Sequence, residues 1–392
     1  MTIEDEATKL EGLDYRTGQP IEVTLEEGRI ASVMAKPPAR SDGEPALSYI
    51  APGLVDLQVN GFMGHDINSF PLAAETVQMV VRKLWREGVT TFLPTVTTNS
   101  DERIEEAMSV IAQACESDAD CAAGVAGIHL EGPFISPEDG PRGAHLAQYV
   151  RPPDWERFCR WQEAARGRIR IVTLSPEWPG SAGFIRRCVE SGVIVSIGHT
   201  AAAPEQIREA VEAGASMSTH WGNGAHLLLP RHPNYLWEQL AQDELYIGLI
   251  ADGFHLPEAV LKTAIRVKGE RAMLVSDAVH LGGLPAGTYM SHKRVQVVKT
   301  EEGRLHLADN PKLLAGSVQA LPWGVAHLVA SGICPLPQAW EMASLGPARR
   351  LSLAVQQGLE AGAPADLVLF DFDENRRIQV RSCWKGGKEK FA

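Results

Sequence analysis

The sequence predicts an α/β protein: a (β/α)8 barrel of the TIM type with a small β-sandwich domain built from both chain ends. Three observations carry this expectation. Short apolar runs rich in Val, Ile and Leu recur eight times, at 54–60, 90–95, 125–131, 169–175, 193–199, 216–220, 246–252 and 271–277. They hardly alternate between apolar and polar, the pattern of parallel strands buried on both faces. Helical patterns lie between them, and turn-punctuated β patterns stand at the two chain ends.

Eight βα units in succession point to a closed barrel. The helix over 74–87 places its apolar residues near a period of 3.6, and the one over 101–115 opens on Asp101 as N-cap. The helix over 204–213 begins with Pro204 at its first position and stops before Gly214. An open doubly wound sheet is the alternative, but no G-x-G-x-x-G opens a helix after the first strand. The β patterns at 21–25 and 29–33, and at 366–370 and 377–380, assign residues 1–50 and 364–392 to the small domain and 51–363 to the barrel. The stretch 36–45, KPPARSDGEP, has linker composition.

The chain has 392 residues, long enough to bury a large core without disulfides. Its 37 Lys and Arg against 49 Asp and Glu give a formal charge of −12, which argues against nucleic-acid or anionic-membrane partners. The start, MTIEDEATKLEG, is too acidic and polar for a secretory or transit signal. No apolar run approaches the ~18 residues of a membrane span. The six cysteines form no C-x-x-C pair, so reduced, packed thiols in a cytoplasm are expected.

In such a barrel the chemistry sits where the strands end. Here the apolar runs close on or contain Gln58, Asn60, Glu131, His199, His220, Asp252 and Asp277, polar residues at places where packing residues are expected. Glu131, His199 and His220 come from the third, fifth and sixth runs. Two imidazoles and a carboxylate make a three-ligand set that leaves one position open, the pattern of catalytic zinc sites. Asp277 closes the eighth run. A carboxylate across the mouth from an activated water can take its proton and return it to a leaving group; the plainer role for Asp277 is a helix N-cap.

The segments PGLVDLQVNG, GIHLEGPF, SIGHT, STHWGN, IADGFH and VSDA, in this order, together with GLEAGAPADLVLFD near the end, resemble the amidohydrolase superfamily and, within it, the N-acetylglucosamine-6-phosphate deacetylase family. The resemblance runs from about residue 12 to the C-terminus. It implies removal of an acetyl group from an N-acetylated amino sugar. Glu131, His199 and His220 would hold one divalent ion per subunit, Zn²⁺ by expectation, and Asp277 would be the catalytic acid and base. It further implies that His145 and His255 contact the sugar, that the loop of Asn223 reaches the sugar phosphate, and that Arg231 serves the phosphate site of a neighbouring subunit in a homodimer.

Two departures qualify it. Many amidohydrolases carry H-x-H at the end of the first strand; this chain has Gln58-Val59-Asn60, and amides are poor zinc ligands beside imidazole. The metal, helped by His145 or Gln58, is expected to stabilise the oxyanion. The fourth run holds no lysine, so a carboxylated lysine bridging two metals is not expected. The phosphate loop also differs, reading His220-Trp221-Gly222-Asn223-Gly224-Ala225-His226 where the family usually reads close to H-x-x-N-A-M, although Gly224 can still offer a backbone N–H to an anion. The alternatives left open are a galactosamine-type or non-phosphorylated substrate, and a non-catalytic sugar-binding relative.

Overall fold

The computed structural model describes residues 7–37, 47–290 and 295–392. Most of the linker read at 36–45, and the first six residues of the acidic N-terminal stretch, lie outside the described residues.

All eight expected barrel strands are present: Leu54–Val59, Val89–Thr97, Ile128–Glu131, Ile169–Leu174, Ile194–Ile197, Met217–Ser218, Tyr246–Leu249 and Ala272–Leu274. They form one parallel sheet in chain order. Several strands stop short of the expected ends because His199, His220 and Asp277 have φ of +48°, +29° and +49°. A strand cannot run through the left-handed region, and an L residue held there costs about 1–3 kcal/mol. The first and eighth strands meet in a narrow seam. Val59 bridges Ala278, whose carbonyl also accepts Asn60 N–H at 2.8 Å. Below it, buried Asp56 Oδ1 accepts the backbone N–H of both Gln58 and Ser276 at 3.2 Å, so a side chain completes the closure.

Strand periodicity layers the interior. Leu93, Ile171, Met217 and Met273 form an apolar cluster with Ala348, Leu351 and Val355. Two residues further along, and so on the same face, Thr173 and Thr219 begin a polar layer. His129 Nδ1 lies 3.0 Å from the Leu57 carbonyl, which can only accept, so Nδ1 carries the proton and Nε2 accepts from Thr173 Oγ1 at 2.7 Å. Thr219 must then donate to Thr173, and Ser196 to Thr219, each at 2.6 Å. Burial pushes His129 below the usual imidazole range, consistent with this neutral tautomer.

The ends of the chain join in one seven-stranded sheet, ordered Lys388–Phe391, Ile378–Lys385, Leu367–Phe372, Tyr49–Pro52, Thr8–Asp14, Pro20–Glu26, Arg29–Ala35. Backbone hydrogen bonding is thus continuous through this sheet. Trp340 stacks on Phe370 at 4.4 Å and donates to the Pro52 carbonyl at 2.8 Å, fastening sheet to barrel. After the eighth barrel strand comes a feature the sequence reading did not anticipate. Gly287–Met290, Gln296–Lys299 and Leu305–Leu307 make a small antiparallel sheet over a cluster of Leu281, Val297, Leu305 and Val318.

One expectation shifts by a residue. The helix Asp101–Ser117 is capped by Ser100, whose side chain accepts Arg103 N–H, not by Asp101. Asp101 sits in the first turn and pairs with Arg151 and Arg157. No helix among the described residues is long and apolar enough to cross a membrane.

Candidate metal and catalytic site

Glu131, His199 and His220 meet. Glu131 ends the third barrel strand, and the two histidines stand just beyond the fifth and sixth. His199 Nε2 and His220 Nε2 lie 3.3 and 3.1 Å from Glu131 Oε1 and 3.0 Å from each other. All three side chains are buried. His199 Nδ1 is 2.7 Å from the Pro141 carbonyl, so Nδ1 is the protonated nitrogen and Nε2 presents its lone pair to the cluster. A carbonyl fixing the tautomer of a ring whose other nitrogen faces a carboxylate is the arrangement of a metal-ligating histidine. The donor set and its crowding therefore fit a cation; among the described residues this is the one group of three or more His, Cys, Asp or Glu close enough to hold one.

The electrostatics agree. Burial alone would raise Glu131, but the hydrogen bonds and charge of His199 and His220 outweigh it and hold it well below the usual carboxylate range. Burial would lower His220, yet Glu131 raises it. An ionised carboxylate buried beside two imidazole nitrogens offers a cation its charge complement.

Asp277 stands on the other side of Gln58. Gln58 Nε2 donates to Glu131 Oε1 at 2.8 Å and to Asp277 Oδ1 at 3.1 Å, and Asn60 Nδ2 donates to Asp277 Oδ1 at 2.7 Å. The amides that replace H-x-H thus hold the two carboxylates. Burial and then the Glu131 charge push Asp277 up to about 6, against the pull of His220, His255 and the Asn60 amide. No side-chain capping bond from Asp277 is seen; Ala278 N–H goes to Ser276 Oγ. Asn60 Oδ1 and His220 Nδ1 are buried without a hydrogen-bond partner among the described residues.

Two further histidines are held, His145 by a group on another loop and His255 within its own turn. His145 Nδ1 pairs with Thr98 Oγ1 at 2.7 Å, and its ring meets that of His199 edge to face at 4.4 Å. His255 Nδ1 is 2.6 Å from Asp252 Oδ2, while Asp252 Oδ1 accepts the backbone N–H of Phe254 and His255. Burial would raise Asp252, but these bonds hold it low. Thr98 was not singled out from the sequence; its place one residue beyond the second barrel strand, Val89–Thr97, is the signal that could have found it.

The loop after the sixth strand reaches the site in part. Asn223 N–H and Nδ2 both donate to the His220 carbonyl, at 2.9 and 3.2 Å. Gly224 has φ of +55°, and a Cβ there would stand 2.6 Å from His199 Nδ1, so only glycine allows the backbone this close to the ring. His226 bridges Glu138 and Tyr235 at 3.0 Å each. Arg231 is not drawn in: it is exposed, beside the exposed Leu227 and Leu228.

The amidohydrolase family model matches residues 49–390. The chain is similar to the N-acetylglucosamine-6-phosphate deacetylase of Bacillus subtilis, 32% identical over 359 residues, covering 90% of this chain and 89% of that protein. It is similar to the Bos taurus enzyme of the same name, 35% identical over 353 residues, covering 86% and 82%. Among solved structures, the N-acetyl-D-glucosamine-6-phosphate deacetylase of Mycobacterium smegmatis superposes with a TM-score of 0.83 at 27% identity over 97% of this chain and 98% of that one.

Proposed function

The chain belongs to the amidohydrolase family and, within it, to the N-acetylglucosamine-6-phosphate deacetylases, and from that premise we propose a residue-by-residue account of how it hydrolyses the N-acetyl amide. The substrate is N-acetylglucosamine 6-phosphate and the products are glucosamine 6-phosphate and acetate. The single observation that carries the account is the convergence of Glu131, His199 and His220 beside Asp277.

Glu131, His199 and His220 would hold one divalent ion, by this reading Zn²⁺, which would supply Lewis acidity and lower the pKa of a water toward about 7. Asp277, ionised above its shifted pKa, takes the proton of the attacking water. The same carboxyl then delivers that proton to the sugar nitrogen, because a free amide anion is too basic to leave. A pKa near 6 suits both transfers near neutrality. The amides of Gln58 and Asn60 hold Asp277 on the correct side, and His145, whose ring meets that of His199 edge to face, is placed to steady the developing oxyanion. His255, oriented by Asp252, contacts the sugar.

Asn223 and the Gly224 N–H face the phosphate end. Arg231 reaches the phosphate site of a second copy in a homodimer. Exposed Leu227 and Leu228 on the same loop support this reading, since apolar side chains left in water gain from burial against a partner. The acidic composition and reduced cysteines support a cytoplasmic location.

The test is acetate release from N-acetylglucosamine and N-acetylgalactosamine, each with and without a 6-phosphate, alongside elemental analysis and sedimentation. Preference for N-acetylglucosamine 6-phosphate, one zinc per subunit and a dimer are expected. Equal rates with and without phosphate would remove the roles given to Asn223, Gly224 and Arg231.

A further inference from the structure

The fourth barrel strand supplies no metal ligand, yet the residue three positions beyond its end is tied to both loops that follow the ligand-bearing strands on either side. Glu177 Oε1 accepts Ser136 Oγ–H at 2.9 Å, from the loop after the third strand. Its Oε2 accepts the Ala201 backbone N–H at 2.8 Å, from the loop after the fifth, and Ser175 Oγ–H at 2.6 Å. Ser136 N–H in turn donates to the His199 carbonyl at 2.8 Å. The peptide of His199 is therefore gripped at its own carbonyl and again two residues later, and Glu177 joins the two grips. Among the described residues no cation pairs with Glu177; three neutral donors satisfy it.

His199 requires such a grip. Its φ of +48° is unfavourable for an L residue, and relaxation toward the β region would swing the ring away from Glu131 and His220. The Pro141 carbonyl fixes which nitrogen faces the cluster, but it lies on a loop that must itself be placed. We infer that Glu177 is a positioning residue for the metal centre: its carboxylate locks the left-handed backbone of His199 by tying Ser136 to Ala201, so that Nε2 is held ready before a cation arrives. This inference rests on the metal-site reading above.

Three variants and one titration test it: Glu177→Ala, Glu177→Gln and Ser136→Ala, each stripped of metal and titrated with Zn²⁺ against a chromophoric chelator, with the thermal midpoint of the stripped protein recorded alongside. Loss of an outer partner of a metal ligand lowers affinity on the order of 10–100-fold, and that loss is expected for Glu177→Ala. Glu177→Gln should stay within about threefold of wild type, because its amide oxygen can still accept Ala201 N–H while its NH2 donates to Ser136 Oγ. Ser136→Ala, which removes one tether only, should fall between them, and it decides the matter if Glu177→Ala does not fold. At saturating Zn²⁺ the KM of Glu177→Ala should hold within about twofold while kcat falls. Wild-type Zn²⁺ affinity in a folded Glu177→Ala, or in Ser136→Ala should the former not fold, overturns the inference alone. Wild-type protein that takes up no Zn²⁺ at stoichiometric concentration overturns the metal reading, and the inference with it.

Discussion

The floor and the rim of the site are built on opposite plans. On the floor, Glu131, His199 and His220 are buried and Asp277 is half-buried, and Glu131, His199 and Asp277 are each fixed through the side chain by a group from elsewhere: Gln58, the Pro141 carbonyl, Asn60. On the rim, the loop carrying Asn223, Gly224 and Arg231 also carries Leu227 and Leu228, which are 87% and 91% exposed. Bond-breaking chemistry tolerates little misplacement, so the barrel itself holds it. In the function proposed above, recognition of the phosphate is left to a loop whose contacts a sugar and a second subunit would complete. Damage to the floor should therefore abolish turnover or metal, whereas damage to the rim should alter only which sugar is preferred.

The largest expected effect is at Asp277. Asp277→Asn should keep its metal and bind substrate, yet lose about 10²–10⁴-fold in kcat. In wild type, kcat/KM should rise with pH and level off above about 6, because the carboxyl must be ionised to accept the first proton. Stopped assays from pH 5 to 8 on both proteins check this; an acid limb that survives in the Asn variant assigns it to another group. His199→Ala comes next. It should lose the ion outright on dialysis, read by elemental analysis, and regain activity only at high added Zn²⁺.

Arg231→Ala sharpens the contrast. Removing a charge-assisted contact costs about 1.5–3 kcal/mol, so KM for the 6-phosphate sugar should rise tenfold or more. Turnover of the unphosphorylated sugar and the metal content should stay as they were. A fall in kcat for both sugars would show that the rim is not separable from the floor.

The smallest effect concerns stability. Burial raises Asp56 to about 7 from 3.8, and its Oδ2 is buried without a partner among the described residues. A carboxyl whose folded pKa is raised contributes most at low pH, and that contribution falls away as pH climbs from the unfolded value through the folded one. Asn cannot ionise. The thermal midpoint of Asp56→Asn relative to wild type should therefore move upward between pH 5 and pH 8. A pH-independent difference would mean that Asp56 keeps one protonation state throughout.

How much of this was legible beforehand follows from what each residue interacts with. The eight strands could be read because burial on both faces demands unbroken apolar runs. Glu131, His199, His220 and Asp277 could be read because each puts a polar group at the end of such a run. Their neighbours could not. The Pro141 partner is a carbonyl, which every residue possesses, so no side-chain identity marks it. Glu177 and Thr98 lie just outside the apolar runs that drew attention to the site. The strand ends were overshot at His199, His220 and Asp277 because the turn there is set by site geometry, not by glycine. The small sheet after the eighth strand was missed because its strands are three or four residues long and bury only Val297 and Leu305.

Tyr49–Pro52, in the middle of the seven-stranded sheet, has one neighbour from the start of the chain, Thr8–Asp14, and the other from its end, Leu367–Phe372. On a ribosome the first neighbour is available at once, while the second emerges only after the whole barrel has been synthesised. Through that interval the strand keeps a row of open amides and carbonyls on one side, a template for any passing extended segment. Nascent chains stalled before residue 367 should thus be the form most prone to clump, and release of the last twenty-six residues (367–392) is the event that seals the molecule.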